Sequence, residues 1–209
     1  MMVAPEGKSI VSFVALSTLL SGSIGWGVDI ELFRIATIFL LFFFLFCLNF
    51  FRDPEREIPT GDNLVLSPAD GKIVDVSETP SGEKNISLFL SVFDVHRNRA
   101  PVKGKVTGVN YKKGSFLAAF KAKSSEINEH NDVHIQSETG TVRVRQIAGI
   151  IARRIICDLR EGQEVRGGDS LGFIRFGSRT DLLLPATARL SVRVGDRVKG
   201  GSSVLGELQ

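Results

Sequence analysis

The strongest constraint on the fold is a pair of glycine-led segments that each occur twice, 33 residues apart. The segment Gly-Lys-Ile-Val-Asp-Val at 71–76 returns as Gly-Lys-Val-Thr-Gly-Val at 104–109, and 104 − 71 = 33. The segment Gly-Gln-Glu-Val-Arg-Gly-Gly at 162–168 returns as Gly-Asp-Arg-Val-Lys-Gly-Gly at 195–201, and 195 − 162 = 33. Short β-type runs joined by glycine turns in similar halves predict a mainly β fold, a compact sandwich or barrel.

Other short apolar runs support this fold class, and helix signals are few. The strand candidates are residues 86–91, 133–137, 142–148, 155–159, 170–175, 182–184 and 188–194. Residues 114–124 are expected to hold one short turn or helix, and the polar residues 128–132 a turn. The turn at 195–201 resembles the hammerhead turns of biotinyl- and lipoyl-type domains, which makes a swinging-arm carrier an alternative. A carrier needs a lysine between the two halves, and none lies between Lys123 and Lys199.

The N-terminal 52 residues differ from the rest of the chain. Residues 10–28 are mostly apolar but are interrupted by Ser, Thr and Gly, whereas residues 32–51 are dense in Phe, Leu and Ile. A helix of about 20 residues spans about 30 Å, the thickness of the bilayer hydrocarbon. The pattern predicts a membrane-associated helical hairpin over 1–52, a charged, proline-containing linker over 53–63 and a catalytic β domain over 64–209.

Positive residues flank this hairpin at both ends. Lys8 precedes its two apolar runs and Arg52 and Arg56 follow them, which favours the cytoplasmic face of the cell membrane for both ends and for the β domain. Arg34 can snorkel, so it does not exclude spanning. A hairpin that enters the membrane without crossing it and a signal peptide are the alternatives, but a small-residue cleavage site is missing.

Composition narrows the classes of partner. The formal net charge of +3 and the pI of about 9.0 favour a neighbouring anionic surface. Many of the 15 Phe fall within 39–51 rather than forming a stacking platform, which argues against a nucleic-acid partner. Cys47 and Cys157 have neither CxxC spacing nor a neighbouring histidine cluster, so we interpret them as reduced thiols and expect no metal site.

The bond between Gly177 and Ser178 has two interpretations. It lies in Phe-Gly-Ser-Arg at 176–179, between two strand-like runs, where an ordinary turn is common. The alternative is a bond that the protein cuts in itself. Attack of the serine hydroxyl on the preceding carbonyl would turn the amide into an ester, and elimination and hydrolysis would leave a pyruvoyl group on the new N-terminus.

Charged residues in three further segments are candidates for chemistry. Asp70 lies at a turn that enters a strand, where it can also serve only to bond its own backbone. His96 is one of three histidines, and beside Asp94 and two arginines it suits proton transfer near physiological pH, although a lone loop histidine is more often structural. Residues 146–155 are interpreted as a buried strand that ends in paired arginines.

Taken together, these segments resemble the phosphatidylserine decarboxylases in their short bacterial and archaeal form. The resemblance covers the apolar hairpin and residues 51–56, 67–71, 93–101, 116–120, 148–154 and 175–179. It implies a carboxy-lyase that converts phosphatidylserine to phosphatidylethanolamine and CO₂, with an archaetidylserine-type lipid as the alternative substrate. An uncleaved, membrane-tethered β binding module remains the alternative from another functional class.

The resemblance also implies a covalent pyruvoyl cofactor made from Ser178. Cleavage at Gly177 would give a β chain of residues 1–177 and an α chain of 209 − 177 = 32 residues, which stay together as a heterodimer with any higher oligomer left open. The pyruvoyl carbonyl would form a Schiff base with the substrate amine and act as the electron sink. The anionic phospholipid and the membrane are the expected partners.

Site roles follow from the same resemblance. His96 would be the acid that protonates the former α carbon, and Asp70 a partner in self-cleavage. The candidates for holding phosphate or carboxylate are Arg97, Arg99, Arg153 and Arg154. Longer members of the family carry Y-H-R-x-H-x-P, and Arg99 stands here at the second histidine, which leaves the base for Ser178 open. The tetrapeptide also differs from the Leu-Gly-Ser-Thr of many longer members.

Overall fold

The structure is a computed structural model that describes residues 2–115, 127–149, 154–175 and 178–209. Its backbone divides into two compact units, Met1–Glu55 and Arg56–Gln209. We call the second one the β unit. Most of the helix expected within 114–124 lies outside the described residues.

The first unit is a helical hairpin, as the sequence predicts. Helix α1 (Pro5–Gly27) begins with a proline in its first turn, where the missing N–H costs nothing, and α2 (Glu31–Phe50) follows a short turn. The two helices pack on each other through small and polar contacts, such as the Ser21 hydroxyl that donates to the Phe33 carbonyl oxygen at 3.0 Å. A two-residue strand β1 (Met2–Val3) pairs antiparallel with β2 (Arg52–Asp53) and closes the hairpin at its base.

The outer surface of the hairpin is apolar along both helices. Phe13, Leu19, Leu32, Phe39 and Phe42 are each exposed over about two thirds of their area or more. Both helices are long and apolar enough to cross a membrane. Because so much exposed apolar surface is unfavourable in water, the unit has the character of a membrane-associated element.

The β unit contains fourteen described strands arranged in three antiparallel sheets. The strands are β3 (Leu64–Leu66), β4 (Gly71–Glu78), β5 (Lys84–Leu90), β6 (Arg97–Arg99), β7 (Gly104–Lys112), β8 (His130–Ser137), β9 (Gly140–Ile147), β10 (Ile155–Cys157), β11 (Glu164–Val165), β12 (Ser170–Ile174), β13 (Ser178–Leu184), β14 (Arg189–Leu190), β15 (Arg197–Val198) and β16 (Val204–Glu207). The large sheet has the order β11-β7-β8-β9-β13-β5-β4-β15. The small sheets have the orders β10-β12-β6 and β14-β16-β3. The predicted mainly β fold is therefore confirmed.

The internal repeat is visible in individual hydrogen bonds. Ile73 N–H donates to the Asp196 carbonyl oxygen at 2.9 Å, and 33 residues on, Val106 N–H donates to the carbonyl oxygen of Gln163 at 2.8 Å. In the large sheet, the strands on the β9 side (β9, β8, β7, β11) correspond in order to those on the β13 side (β13, β5, β4, β15). The two small sheets also correspond strand by strand, β10-β12-β6 to β14-β16-β3. The β unit thus consists of two interleaved halves, each combining one copy of both repeated segments.

Two local expectations were wrong. The polar residues 130–132 are not a turn but the start of β8, because their side chains find partners on the next strand: Asn131 bonds Gln146, and Asp132 bonds Arg145. The run 146–155 is not one strand. Strand β9 ends at Ile147 and β10 begins at Ile155, since the chain leaves the ladder at Ala148, whose N–H donates to the Glu129 carbonyl oxygen at 2.9 Å.

The symmetry is broken at one hairpin. Strands β8 and β9 are joined by a tight turn, with Ser137 opposite Gly140. The corresponding strands of the other half, β5 and β13, pair in the same way, with Leu90 opposite Ser178. No turn joins them: the chain leaves β5 into residues 91–96, and β13 starts afresh at Ser178. This open end is where the candidate site lies.

Candidate active site

Ser178 is the first residue of β13, in the middle of the large sheet. It pairs with Leu90 of β5, and the next residue of β13 pairs with Ile147 of β9. Directly opposed residues point to the same face of a sheet, and Leu90 belongs to the hydrophobic core. The Ser178 side chain therefore faces the core and is fully buried. Gly177 itself lies outside the described residues.

The core face becomes polar at this end of the sheet. Thr180, two residues along β13, faces the same side as Ser178 and lies opposite Gln146 of β9. The Gln146 amide donates from Nε2 to Asn98 Oδ1 of β6 at 2.9 Å. Its Oε1 accepts from Asn131 Nδ2 of β8 at 3.1 Å. A buried amide chain thus connects the large sheet to a small sheet beside Ser178.

Three buried polar atoms in this cluster lack a hydrogen-bond partner among the described residues. They are Ser178 Oγ, Thr180 Oγ1 and Asn98 Nδ2. Leaving one such group unpaired costs about 1–3 kcal/mol, and native proteins rarely tolerate several together. Three of them in one cluster indicate a reactive or ligand-binding site. The Thr180 hydroxyl and the Asn98 amide would remain as donors to an oxygen-bearing group formed from Ser178, such as pyruvoyl.

His96 is buried at the end of the loop that precedes β6. Its Nδ1 lies 2.9 Å from the Asp94 carbonyl oxygen. A carbonyl oxygen only accepts, so Nδ1 carries the proton and Nε2 is the nitrogen that can accept or return another. The ring lies 6.3 Å from that of Phe173 on β12, and the His96 carbonyl oxygen accepts from Ile174 N–H at 3.2 Å.

The backbone brings His96 and Ser178 to neighbouring connections. One connection, residues 91–96, runs from Leu90 of the large sheet to β6 of a small sheet. The other, between β12 and β13, returns from the small sheet to Ser178, opposite Leu90. Because β6 pairs with β12 and β5 pairs with β13, the two connections have neighbouring ends at both sheets. The predicted acid and the predicted cleavage residue therefore belong to one region.

Asp70 lies at the same end of the large sheet, immediately before β4. Because β5 separates β4 from β13, the Asp70 and Ser178 backbones lie two strand spacings apart, about 10 Å. Both Asp70 carboxylate oxygens lie 2.8 Å from Arg56 Nη2, and Oδ1 also accepts from Gly200 N–H at 2.8 Å. The carboxylate thus anchors the turn that follows β15 and the segment that enters the β unit.

The predicted arginines have different environments. Arg97 is buried, bonds Asp158 and Ser170 at 2.8 Å each, and stacks over the Phe173 ring. Arg99 donates to the Gly168 carbonyl oxygen at 3.1 Å. Both therefore make structural contacts. Arg154 is exposed, and Arg153 lies outside the described residues.

The outer face of β13 is held by charged side chains. Arg179 Nε bonds the Asp181 carboxylate at 2.6 Å, and its Nη2 donates to Ser87 Oγ of β5 at 2.7 Å. On the neighbouring strands, Arg145 of β9 bonds Asp132 of β8 at 2.6 and 2.7 Å. These bonds fix the strands around Ser178 from the side opposite the core.

The cysteine nearest the amide chain does not offer a second nucleophile. Cys157 of β10 is a free thiol that interacts with Asn131. Burial is the main effect on it and raises the pKa of the thiol, so it stays protonated at neutral pH. A protonated thiol is a weak nucleophile.

Sequence reasoning missed Arg56, Asn98, Gln146 and Thr180 as members of the site. In the sequence, Arg56 stands out only as a flanking charge and as the end of the 51–56 segment, and no pattern marks Asn98 between its two arginines. The available signal for Gln146 is an amide inside an otherwise apolar strand, which is costly to bury without a partner. Thr180 carried no signal, because its position depends on β13 starting at Ser178.

Comparison with known proteins finds relatives that match nearly the whole chain. The family model for phosphatidylserine decarboxylase matches residues 43–206. The chain is 39% identical to the phosphatidylserine decarboxylase proenzyme of Chlorobaculum parvum, with 99% of each chain covered. It is 40% identical to the proenzyme of Desulfotalea psychrophila, over 99% of this chain and 96% of the relative. It is 43% identical to the proenzyme of Burkholderia ambifaria, over 100% and 97%. The chain belongs to the phosphatidylserine decarboxylase family.

Proposed function

We propose that this protein decarboxylates phosphatidylserine to phosphatidylethanolamine after cutting itself between Gly177 and Ser178. The observation that carries the proposal is the environment of Ser178, the first residue of a central strand. Its hydroxyl is buried and lacks a hydrogen-bond partner among the described residues. The proenzyme names of the relatives support it, because a proenzyme is converted before it acts.

The cleavage uses only atoms of the chain and one water. Ser178 Oγ attacks the Gly177 carbonyl carbon, its proton passes to the departing amide nitrogen, and the peptide bond becomes an ester. Loss of the Ser178 α proton then expels the Gly177 carboxylate and leaves a dehydroalanine. Its imine form takes up water and releases ammonia, which leaves the pyruvoyl group at position 178.

Asp70 serves this first reaction in the proposal as a positioning residue. Its carboxylate joins Arg56 to the Gly200 backbone at the end of the sheet that contains Ser178. This arrangement fixes the start of β4 and, through β5, the position of Leu90 opposite Ser178. Fixed geometry is what an attack on a neighbouring carbonyl requires.

His96 serves the second reaction. Once formed, the pyruvoyl group would supply an electron sink for the pair released as CO₂ leaves. His96 holds its Nδ1 proton on the Asp94 carbonyl oxygen, so Nε2 is the nitrogen that takes up a proton, such as the one released when the substrate ammonium becomes an imine, and passes it to the substrate carbon. Burial of the imidazole excludes water from that transfer.

The remaining site residues bind the lipid substrate or hold neighbouring parts of the site in position. We assign the lipid phosphate to Arg154 and Arg153, of which Arg154 is exposed. Arg97 and Arg99 stabilise the segments around the site: Arg97 bonds Asp158, and Arg99 donates to the Gly168 carbonyl oxygen. Substrate binding by these last two stays a prediction of the sequence.

The apolar hairpin supports a membrane location for this chemistry. Lys8 lies in the first turn of α1 and Arg52 and Arg56 follow α2, and positive residues at the membrane ends of such helices favour the cytoplasmic side. We therefore propose that the β unit acts at the cytoplasmic face of the cell membrane.

The deciding experiment is intact mass spectrometry of the purified full chain. Wild type should give a 1–177 chain and a 32-residue chain that starts with a ketone-bearing residue. Ser178→Ala should remain a single inactive chain, because alanine has no hydroxyl to shift the acyl group. Ser137→Ala is the matched control at the corresponding hairpin of the other half and should cleave normally. Efficient cleavage of Ser178→Ala would refute the proposal.

A further inference from the structure

We propose that the β unit makes its own contact with the anionic bilayer, through a surface formed by Phe93, Val194, Lys72, Arg197 and Arg193. We call it the basic rim. It rests on the proposed function only for the choice of lipid, since it concerns a surface and not the chemistry.

The basic rim is apolar at two points. Among the described residues of the β unit, Phe93 and Val194 are the most exposed large apolar side chains, at 71% and 58%. Phe93 stands in the loop 91–96, and Val194 in the turn before β15. An exposed aromatic ring beside polar residues suits the interfacial layer of a bilayer.

Contacts join these two points into one surface. Asp94, next to Phe93, lies 3.8 Å from the Arg197 guanidinium, and Arg197 pairs with Lys72 across β15 and β4. The neighbouring residue of β4, Ile73, accepts from Gly195 N–H at 2.9 Å, next to Val194.

The charge of the basic rim is positive. Lys72, Arg193 and Arg197 are exposed, and so is Lys199 immediately after β15. Two carboxylates oppose them: Asp94 faces Arg197 at 3.8 Å, and Asp196 faces Arg193 at 3.6 Å. The three cations of the basic rim and the adjacent Lys199, against two anions, leave a net attraction for anionic lipid.

The repeat provides an internal comparison. The turn at 195–201 recurs at 162–168 with the same backbone hydrogen bonds, at the other end of the sheet. There the positions of Val194 and Arg197 are occupied by Glu161 and Glu164. The same backbone therefore carries an apolar and basic surface only at the end that contains Ser178.

The location also suits the substrate. The loop 91–96 has Phe93 exposed near its middle and buried His96 at its inner end. A lipid must bring its headgroup to His96 and Ser178 while its acyl chains remain in the bilayer. A membrane held against Phe93 keeps that distance short, within one six-residue loop.

The test places a single tryptophan at Phe93 and measures its contact with lipid. The background is the full chain with Trp26→Phe, which removes the only native tryptophan, and Ser178→Ala, which keeps the chain uncut. Phe93→Trp is compared with Glu138→Trp, in the hairpin at the opposite end of the sheet. Both proteins are placed in phosphatidylcholine nanodiscs with or without phosphatidylglycerol whose acyl chains carry bromine.

We expect the tryptophan at 93 to lose about half of its emission in anionic nanodiscs, since interfacial rings lie about 5–10 Å into the headgroup boundary. The tryptophan at 138 should keep its emission. Arg197→Glu should abolish the loss at 93, and it should fold, because Glu164 occupies that position in the repeat. Arg166→Glu makes the same charge change in the other turn and should leave the loss unchanged.

Three results would overturn the proposal. The first is equal quenching at 93 and 138. The second is an equal effect of Arg197→Glu and Arg166→Glu. The third is a change in emission at 93 that depends on protein concentration in lipid-free detergent, which would show that a protein covers this surface. Because the chain is uncut throughout, none of these results depends on cleavage or decarboxylation.

Discussion

At the scale of single residues, the two reactions proposed for Ser178 need different helpers. His96 exchanges its proton at Nε2, which first takes a proton up and then gives it to the substrate, because Nδ1 keeps its own proton on the Asp94 carbonyl oxygen. We expect His96→Ala to release the 32-residue chain normally but to lose about 10²–10⁴ in turnover, the usual contribution of one proton-transfer group. A denaturing gel and a CO₂-release assay on the same sample check both parts. An uncut His96→Ala chain would assign this residue to cleavage instead.

Asp70 should show the opposite behaviour. Asp70→Asn is expected to slow or block cleavage, because an amide cannot hold Arg56 and Gly200 as the carboxylate does. The variant also leaves a nearly buried arginine without its charge partner, which costs about 3–5 kcal/mol. Asp70→Asn combined with Arg56→Met removes that charge and separates folding from chemistry. Normal maturation of a folded double variant would exclude Asp70 from self-cleavage.

Thr180 is expected to have been retained for function and not for stability. Its buried hydroxyl has no partner among the described residues, so Thr180→Val should leave the free energy of unfolding unchanged or raise it by up to about 2 kcal/mol. If the hydroxyl meets the substrate or its cofactor, the same variant should raise KM or lower kcat. Denaturant unfolding of the uncut precursor and steady-state kinetics of the mature enzyme measure the two effects. A clear loss of stability would show that the hydroxyl is paired.

At the scale of elements, the strands around Ser178 should respond to acid. Burial alone would raise the pKa of the Asp132 carboxyl on β8, but the hydrogen bonds and charge of Arg145, with Arg143 and His130, outweigh burial and lower it below 3.8. A carboxyl whose pKa is lower in the folded state than in the unfolded state stabilises the fold at every pH above the unfolded pKa. This stabilisation is lost as the pH falls through the folded pKa.

The corresponding variant is Asp132→Asn. At neutral pH its free energy of unfolding should be about 1–3 kcal/mol lower than that of wild type. This gap between the two free energies should shrink as the pH falls below 3.8. Denaturant unfolding in detergent at several pH values measures it. Asp62→Asn, at an exposed position, is the control and should show no gap. A gap that stays constant into acid would mean that the Asp132 charge is not what stabilises these strands.

The strands themselves were largely predictable, and the site only partly so. The 33-residue repeat and the alternating runs are local patterns, and they identified the fold class and most strands. No local pattern showed that β13 begins at Ser178. Residues 178–181 are polar, and they join the sheet only through partners on β5 and β9. For the same reason Gln146 and Asn98, 48 residues apart, could be recognised as one hydrogen-bonded pair only in the folded chain.

At the scale of the whole molecule, cleavage should not separate the chains. Strand β13 pairs through seven residues with β5 and through five with β9, so the 32-residue chain is built into the centre of the large sheet. We expect both chains to co-purify at neutral pH and to separate only on denaturation. Size-exclusion chromatography followed by mass spectrometry tests this, with uncut Ser178→Ala as the reference for the elution volume. Loss of the small chain from the native protein would contradict the arrangement.

The division into two units predicts how the molecule tolerates truncation. A chain of residues 53–209 keeps the whole β unit, including Arg56 with its bonds to Asp70, and removes the apolar hairpin. We expect it to be soluble without detergent and to cleave itself. A chain of residues 64–209 also lacks the hairpin but loses Arg56, and it should be soluble yet slow to cleave. Sedimentation and a cleavage time course compare the two. If the 53–209 chain stays in the membrane fraction and resists salt, the main anchor lies in the β unit; if both chains cleave equally, the Arg56–Asp70 pair is dispensable.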